Sequence, residues 1–225
     1  MRLREPENFK NLVGGRGKGY EGGAMPTVPR LIVATRNPHK SLEIRAMLGA
    51  GWEVLDANDF PEFPVIEETG DTFLENARLK AEGISRLVAG WVLADDSGLE
   101  VDALGGKPGV WSSSFGGEEG NHAKNNAHLI TAMRGQSLRS ARFLCTMVLA
   151  NAGIAQADFC GTVEGTLTDA PQGEGGFGYD PLFIPAGYQQ TFAELGQDVK
   201  NRLSHRALAL TQAISWLTAP PEKLV

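Results

Sequence analysis

Several acids and bases of this chain stand where elementary electrostatics does not favour them. In WVLADDSGLEV (91–101), four apolar residues run straight into Asp95 and Asp96. Burying unpaired carboxylates is expensive, so the pair is either solvated in a turn or faces something cationic. EETG (67–70) places Glu67 and Glu68 just ahead of a helical pattern. Acids there usually complement the helix dipole. Hard oxygen ligands from separate loops are also what Mg²⁺ takes, with water and phosphate oxygens completing its shell. Neighbours on an extended strand face opposite sides. Only one of Asp95 and Asp96 is therefore expected to share an ion with Glu67 or Glu68, while the other makes structural hydrogen bonds.

The cations are placed as oddly. TRNPHK (35–40) follows an apolar run and precedes a helix. Thr35 and Asn37 supply polar groups, Pro38 suits a first helical turn, and Arg36, His39 and Lys40 supply positive charge. In KNRLSHR (200–206), Ser204 reads as an N-cap, with His205 and Arg206 in the first turn and Lys200 upstream. Cations at a helix N-terminus oppose its dipole unless an anion compensates. Two such places in a chain of net charge −6 point to a shared anionic ligand. GEGGFGYDPLF (173–183) adds glycines that allow close backbone approach, and Phe177 and Tyr179 as flat faces for a base. A glycine-rich turn with aromatics plugging the core explains the same residues.

The elements that must carry these groups follow from the pattern. LIVAT (31–35) reads as a buried strand, followed by a helix from Pro38 and a strand at 52–55. A helical face over 71–89 precedes strand 91–94, with LEVDAL (99–104) a possible further strand. A helix over 122–133 leads to two long β-prone runs, 141–150 and 157–167, which read as a hairpin. A helix from about Ser204 to Leu217 closes the pattern. This order implies an α/β fold, a mixed sheet flanked by helices, with chemistry at loops leaving strand ends. A hairpin centred between Ala152 and Gly153 would set Cys145 opposite Cys160, read as free thiols.

Residues 1–24 are glycine-rich and lack apolar periodicity. Their GxGxxG match has no flanking strand or helix and reads as chance, so they are expected to form a flexible extension to a domain at 25–225. The 225 residues are 42% hydrophobic and 21% charged, ordinary for a domain with a sizeable core. The acidic balance argues against a nucleic-acid-coating protein. No apolar run is long enough for a membrane span, and no secretory signal is apparent, so a cytoplasmic protein is expected.

TRNPHK, EETGDTFLENA, LADDSGLEVDALGGKPGVWS, GFGYDPLF and SHRALAL occur in the order and spacing of a known family. From about Arg30 to Leu217 the chain resembles the inosine/xanthosine triphosphate pyrophosphatases. The resemblance implies an elongated α/β fold of two lobes with the nucleotide in the cleft between them, and a homodimer. It implies hydrolysis of ITP, dITP and XTP to the monophosphate and pyrophosphate with Mg²⁺. By motif, Thr35, Arg36, Asn37, Pro38, His39 and Lys40 would hold the triphosphate. Glu68 and Asp96 would hold the metal, and Asp96 would also accept the proton of the attacking water. Ser97 would touch substrate. Phe177, Gly178, Tyr179 and Asp180 would line the base and sugar side. Lys200, His205 and Arg206 would complete the base pocket, with Arg206 among the donors facing the purine O6. The chain departs from the pattern at His39, where glycine is usual, and at Ser114, where arginine is common; Arg36 could stand in for that arginine. A nucleotide sensor without turnover and a pyrophosphatase for modified pyrimidine nucleotides are the alternative readings.

Overall fold

The computed structural model describes residues 28–218. β1 (Arg30–Val33) leads through α1 (Pro38–Leu48) to β2 (Glu53–Asp56), and α2 (Phe73–Ser85) leads to β3 (Trp91–Val101). α3 (His122–Ala132), β4 (Ser140–Asn151) and β5 (Ile154–Leu167) follow. β6 (Phe183–Pro185), α4 (Phe192–Leu195), α5 (Gln197–Leu203) and α6 (His205–Leu217) complete the fold. The strands form one sheet in the order β2-β1-β3-β4-β5-β6. β1 runs parallel to β2 and β3, while the other pairs are antiparallel. Helical crossovers return the chain in the same direction, whereas the tight β4–β5 turn reverses it. The mixed, helix-flanked α/β sheet expected from the sequence is thus present. Among the described residues, no helix is long and apolar enough to cross a membrane. The glycine-rich stretch at 1–24 lies outside the described residues.

Two expectations are corrected. The strand expected to stop at Ala94 runs on to Val101, 11 residues in all, so LEVDAL begins inside it. Asp95 and Asp96 sit mid-strand, opposite Met147 and Thr146 of β4, rather than at a strand end. Gly98 lets the run continue beneath the 109–112 turn: a Cβ there would lie 2.5 Å from the Gly109 carbonyl. The second correction concerns the cysteines. The hairpin does turn between Ala152 and Gly153, but a bulge at Leu149/Ala150 slips the register by one. Cys145 pairs with Gly161, and Cys160 with Thr146. A one-residue slip moves a side chain to the other face. Cys145 is accordingly buried, Cys160 is exposed, and both are free thiols.

Alternation along β3 sorts its side chains between two cores. Leu93 joins Leu31, Val33, Cys145 and Met147 beneath α1 and α6. Val92 and Ala94 join Ala77, Ala81 and Ile84 beneath α2. Asp95 and Ser97 therefore fall on the α1/α6 face, and Asp96 on the α2 face. Leu99, Val101, Phe143 and Phe183 belong to a third cluster.

Candidate active site

A cleft of about 620 Å³ opens beside the β1–α1 turn. Thr35, Arg36, Asn37, Lys40, Glu68 and Asp96, all expected in the site, line it. Asn37 caps α1, its side chain accepting from the His39 N–H at 3.0 Å, and Thr35 Oγ1 accepts from the Asn37 N–H at 3.2 Å. Pro38 occupies the first turn, so this segment ends in the N–H-rich terminus that anions favour. Arg36 does not hold its fork free for phosphate. It donates to the carbonyls of Ala57 at 3.2 Å and Phe63 at 2.8 Å, strapping the loop after β2 to the turn. Ser114 lines the cleft, as does Glu67.

The α2 face gathers Asp96, Glu68, Asn76 and Lys80. Thr72 and Glu75 form a capping box that starts α2. One turn separates Asn76 from Lys80, so both can face β3. Asn76 Nδ2 donates to Asp96 Oδ2 at 3.2 Å, and its Oδ1 accepts from the Gly70 N–H at 2.8 Å. The glutamate-bearing loop is thereby tied to the strand. Lys80 Nζ lies 2.7 Å from Glu68 and 3.6 Å from Asp96. Two carboxylates thus share one ammonium. Burial raises the Asp96 pKa. Lys80 and Lys40 offset this only in part, and Glu68 and Asp95 push it further upward. Lys80 and Asn76 escaped the sequence reading, because polar residues on an amphipathic helix read as its solvated side; their four-residue spacing just after the glutamates was the available signal.

The opposite face is electrically balanced. Asp95, Glu43 and Asp180 meet Lys40, Arg206 and Lys200. Asp95 receives Lys40 at 3.0 Å and Arg206 at 3.1 Å. Arg206 also donates to Glu43 and, at 2.9 Å, to Ser97 Oγ. Lys200 bridges Glu43 at 2.8 Å and Asp180 at 2.6 Å. Burial alone would raise the Asp95 pKa, but Lys40, Arg206 and Lys80 outweigh it and hold this carboxyl far below the usual range. Of the two aspartates, Asp96 thus meets Lys80 together with Glu68, while Asp95 is ion-paired to Lys40 and Arg206 on the other face. Arg206 is 1% exposed and its fork is engaged on three partners, so it is a scaffold cation rather than a free donor for O6. Glu43, one turn after Lys40 on α1, was also missed; its cationic partners, Lys200 and Arg206, lie far along the chain and leave no local pattern.

The Phe177–Asp180 segment does not line the main cleft; it joins the buried ion network through Asp180 and Lys200. Asp180 and Tyr179 are buried rather than presented to a ligand. Asp180 accepts from the Phe177 N–H at 2.7 Å, and Tyr179 donates to the Ser112 carbonyl at 2.9 Å. Asn126 of α3 donates to the Gly178 carbonyl at 3.1 Å. Phe177 remains half-buried, with Lys200 Nζ 4.3 Å from its ring centre. His39, expected to hold the triphosphate, does not line the cleft and stacks instead on Phe177, centroids 5.1 Å apart and 14° between planes.

His205 is buried, stacked on Phe143 at 4.8 Å, and its Nδ1 has no partner among the described residues. Burial, then Arg206 and Lys200, push its pKa well below the ordinary value. Its folded pKa lies below its unfolded one, so this stabilisation is present above about pH 6.5 and is lost as the pH falls through that value. Between about pH 6.5 and 5 this one group should remove up to about 1.4 kcal/mol of stability per pH unit. Urea unfolding of wild type and His205→Gln across that range checks this: the variant should show the shallower dependence.

A model of the Ham1 family matches residues 31–216. The chain is 49% identical to the dITP/XTP pyrophosphatase of Streptococcus pyogenes serotype M1 over 197 residues, 84% of this chain and 59% of that protein. It is also 49% identical to the dITP/XTP pyrophosphatase of an Exiguobacterium strain over 182 residues, 80% of this chain and 93% of that one. The chain thus spans less than two thirds of the streptococcal relative and nearly all of the other. Among solved structures, the Staphylococcus aureus Ham1 protein superposes with a TM-score of 0.75 at 34% identity, over 84% of this chain and 97% of that one. A HAM1 protein from Coxiella burnetii gives 0.76 at 36%, over 84% and 98%.

Proposed function

The chain belongs to the Ham1 family, and from that premise we propose that it hydrolyses the deaminated purine nucleotides ITP, dITP and XTP to the monophosphate and pyrophosphate. The observation that carries this reading is the charge arrangement of the cleft. Glu68 and Asp96 share the single ammonium of Lys80, and the β1–α1 turn lines the same cleft. The pair is one positive charge short, which suits a cation arriving with a polyphosphate.

Mg²⁺ is proposed for that role, held by Glu68 and Asp96. The donors are hard oxygens, and Mg²⁺ needs only one or two carboxylates beside phosphate oxygens. Among the described residues, no cluster of three or more His, Cys, Asp or Glu could hold a metal on its own. Bound there, the ion would neutralise phosphate charge. Thr35, Asn37 and the N–H groups opening α1 would seat the triphosphate, with Lys40 and Lys80 countering the charge that develops on the phosphoryl oxygens. Asp96, its affinity for a proton raised by burial, would take the proton of the water that attacks the α-phosphate. Phe177 would carry the purine. Ser97, the Asp95 network and His205 would hold the strand and α6 in place behind the site. A cytoplasmic homodimer completes the proposal.

Pyrophosphate release from ITP, XTP, dITP, dUTP, ATP and GTP tests it. ITP and XTP should turn over, with ATP slower by about ten- to a hundredfold: with Arg206 engaged elsewhere, a backbone N–H would face O6, and adenine's amino group would leave one buried donor unmatched at about 1–3 kcal/mol. Binding of ITP without pyrophosphate release would instead establish a sensor. Preference for dUTP would establish a pyrimidine enzyme.

A further inference from the structure

His39 stands on the first turn of α1 beside Asn37 and Lys40, which face the phosphate cleft. Its side chain does not line that cleft. It lies nearly parallel to Phe177, 14° between planes with centroids 5.1 Å apart. His122, the first residue of α3, comes within 6.1 Å of the same ring and 6.3 Å of His39. Lys200 and Arg206 approach Phe177 at 4.3 and 5.7 Å, but both are locked in the buried ion network. His39 is different: it is exposed and makes no side-chain hydrogen bond or ion pair among the described residues. Its ring is therefore held chiefly by the stack and is free to leave it.

We propose that His39 is a specificity-tuning plug, its imidazole covering Phe177 where the substrate purine stacks and being displaced when the base binds. This rests on the reading that Phe177 carries the base. A flat heteroaromatic ring on Phe177 makes the contact a purine would make, so the two compete. An offset aromatic pair contributes roughly 0.5–1.5 kcal/mol, equivalent to about a two- to tenfold loss of apparent affinity for any ligand that must break it. A larger purine surface overcomes the plug, while a nucleotide whose base stacks poorly does so less well. His39 would then set affinity for the base and leave affinity for the phosphates untouched.

The test uses two ligands and two variants. His39→Ala removes the plug, and KM for ITP should fall about two- to tenfold. Inorganic tripolyphosphate, which has no base, should inhibit the wild type and His39→Ala with the same Ki. His39→Phe retains a stacking ring, and KM for ITP should stay at or above that of the wild type. An unchanged KM in His39→Ala overturns the proposal. So does a parallel change in KM and the tripolyphosphate Ki, which would return His39 to the phosphate loop. If the wild type turns over ITP while the variants behave alike, only the plug is lost. If the wild type releases no pyrophosphate from ITP, the reaction assignment fails and the plug fails with it.

Discussion

The Asp96→Asn substitution is expected to lower the rate of pyrophosphate release by about 10²–10⁴-fold, the range a positioned general base contributes. The change is nearly isosteric. The amide oxygen of the new side chain can still accept from Asn76 Nδ2, the contact that Asp96 makes at 3.2 Å. What the amide cannot do is accept a proton from water or supply a full negative charge beside Glu68. The folded protein should tolerate it. The Asp96 carboxyl has its pKa raised in the fold, so its ionised form is disfavoured there relative to the unfolded chain, and at about pH 7 a neutral amide removes that cost. Steady-state kinetics with ITP and a thermal melt in parallel check both halves. Turnover within about tenfold of the wild type would remove Asp96 from the proton-transfer role. A large loss of melting temperature would make the kinetic loss uninterpretable as chemistry, in which case Glu68→Gln serves as the independent test of the carboxylate pair.

The contrast between Asp96 and Asp95 was legible because strand alternation is strict: adjacent residues must face different cores. That both lie mid-strand was not legible. DDSG has the composition of a turn, and only the close approach of the 109–112 turn to Gly98 explains why the strand runs on. The Thr35–Lys40 turn could be read as an anion site because β1, Asn37 and Pro38 give local signals. Lys80 and Asn76 offered only their four-residue spacing behind the glutamates, and Glu43 no local signal, since a charged or polar residue on a helix is normally solvated and their partners lie on other elements. The cysteine register failed for a similar reason. The bulge at Leu149/Ala150 inserts one residue into a run with no glycine or proline to mark it. Local chemistry is written in the sequence; the pairing of distant charges appears only once the sheet brings them together.

Arg206→Met should destabilise the fold more than any substitution at the surface. The guanidinium is 1% exposed and joins Asp95, Glu43 and Ser97, residues of β3 and α1, to α6. Burial works against its charge, but Asp95 and Glu43 more than compensate and raise its pKa. Methionine of similar length fills much of the space while leaving those two carboxylates with Lys40 and Lys200 as their remaining direct ion-pair partners. The balanced three-against-three network becomes one cation short. Removing one member of a buried pair costs about 3–5 kcal/mol, because the remaining charge stays desolvated. At about 2–4 °C per kcal/mol for a chain of this size, the melting temperature should fall by about 6–20 °C. Arg30→Ala is the control: its pair with Glu53 is largely exposed and should contribute no more than about 1 kcal/mol. The mechanism, unpaired buried charge rather than lost packing, has its own signature. Asp95→Asn added to Arg206→Met should restore part of the loss, whereas each single change destabilises. Strict additivity in that double-mutant cycle, or a fall of less than about 3 °C in Arg206→Met, would show that the network is not what holds α6 to the sheet.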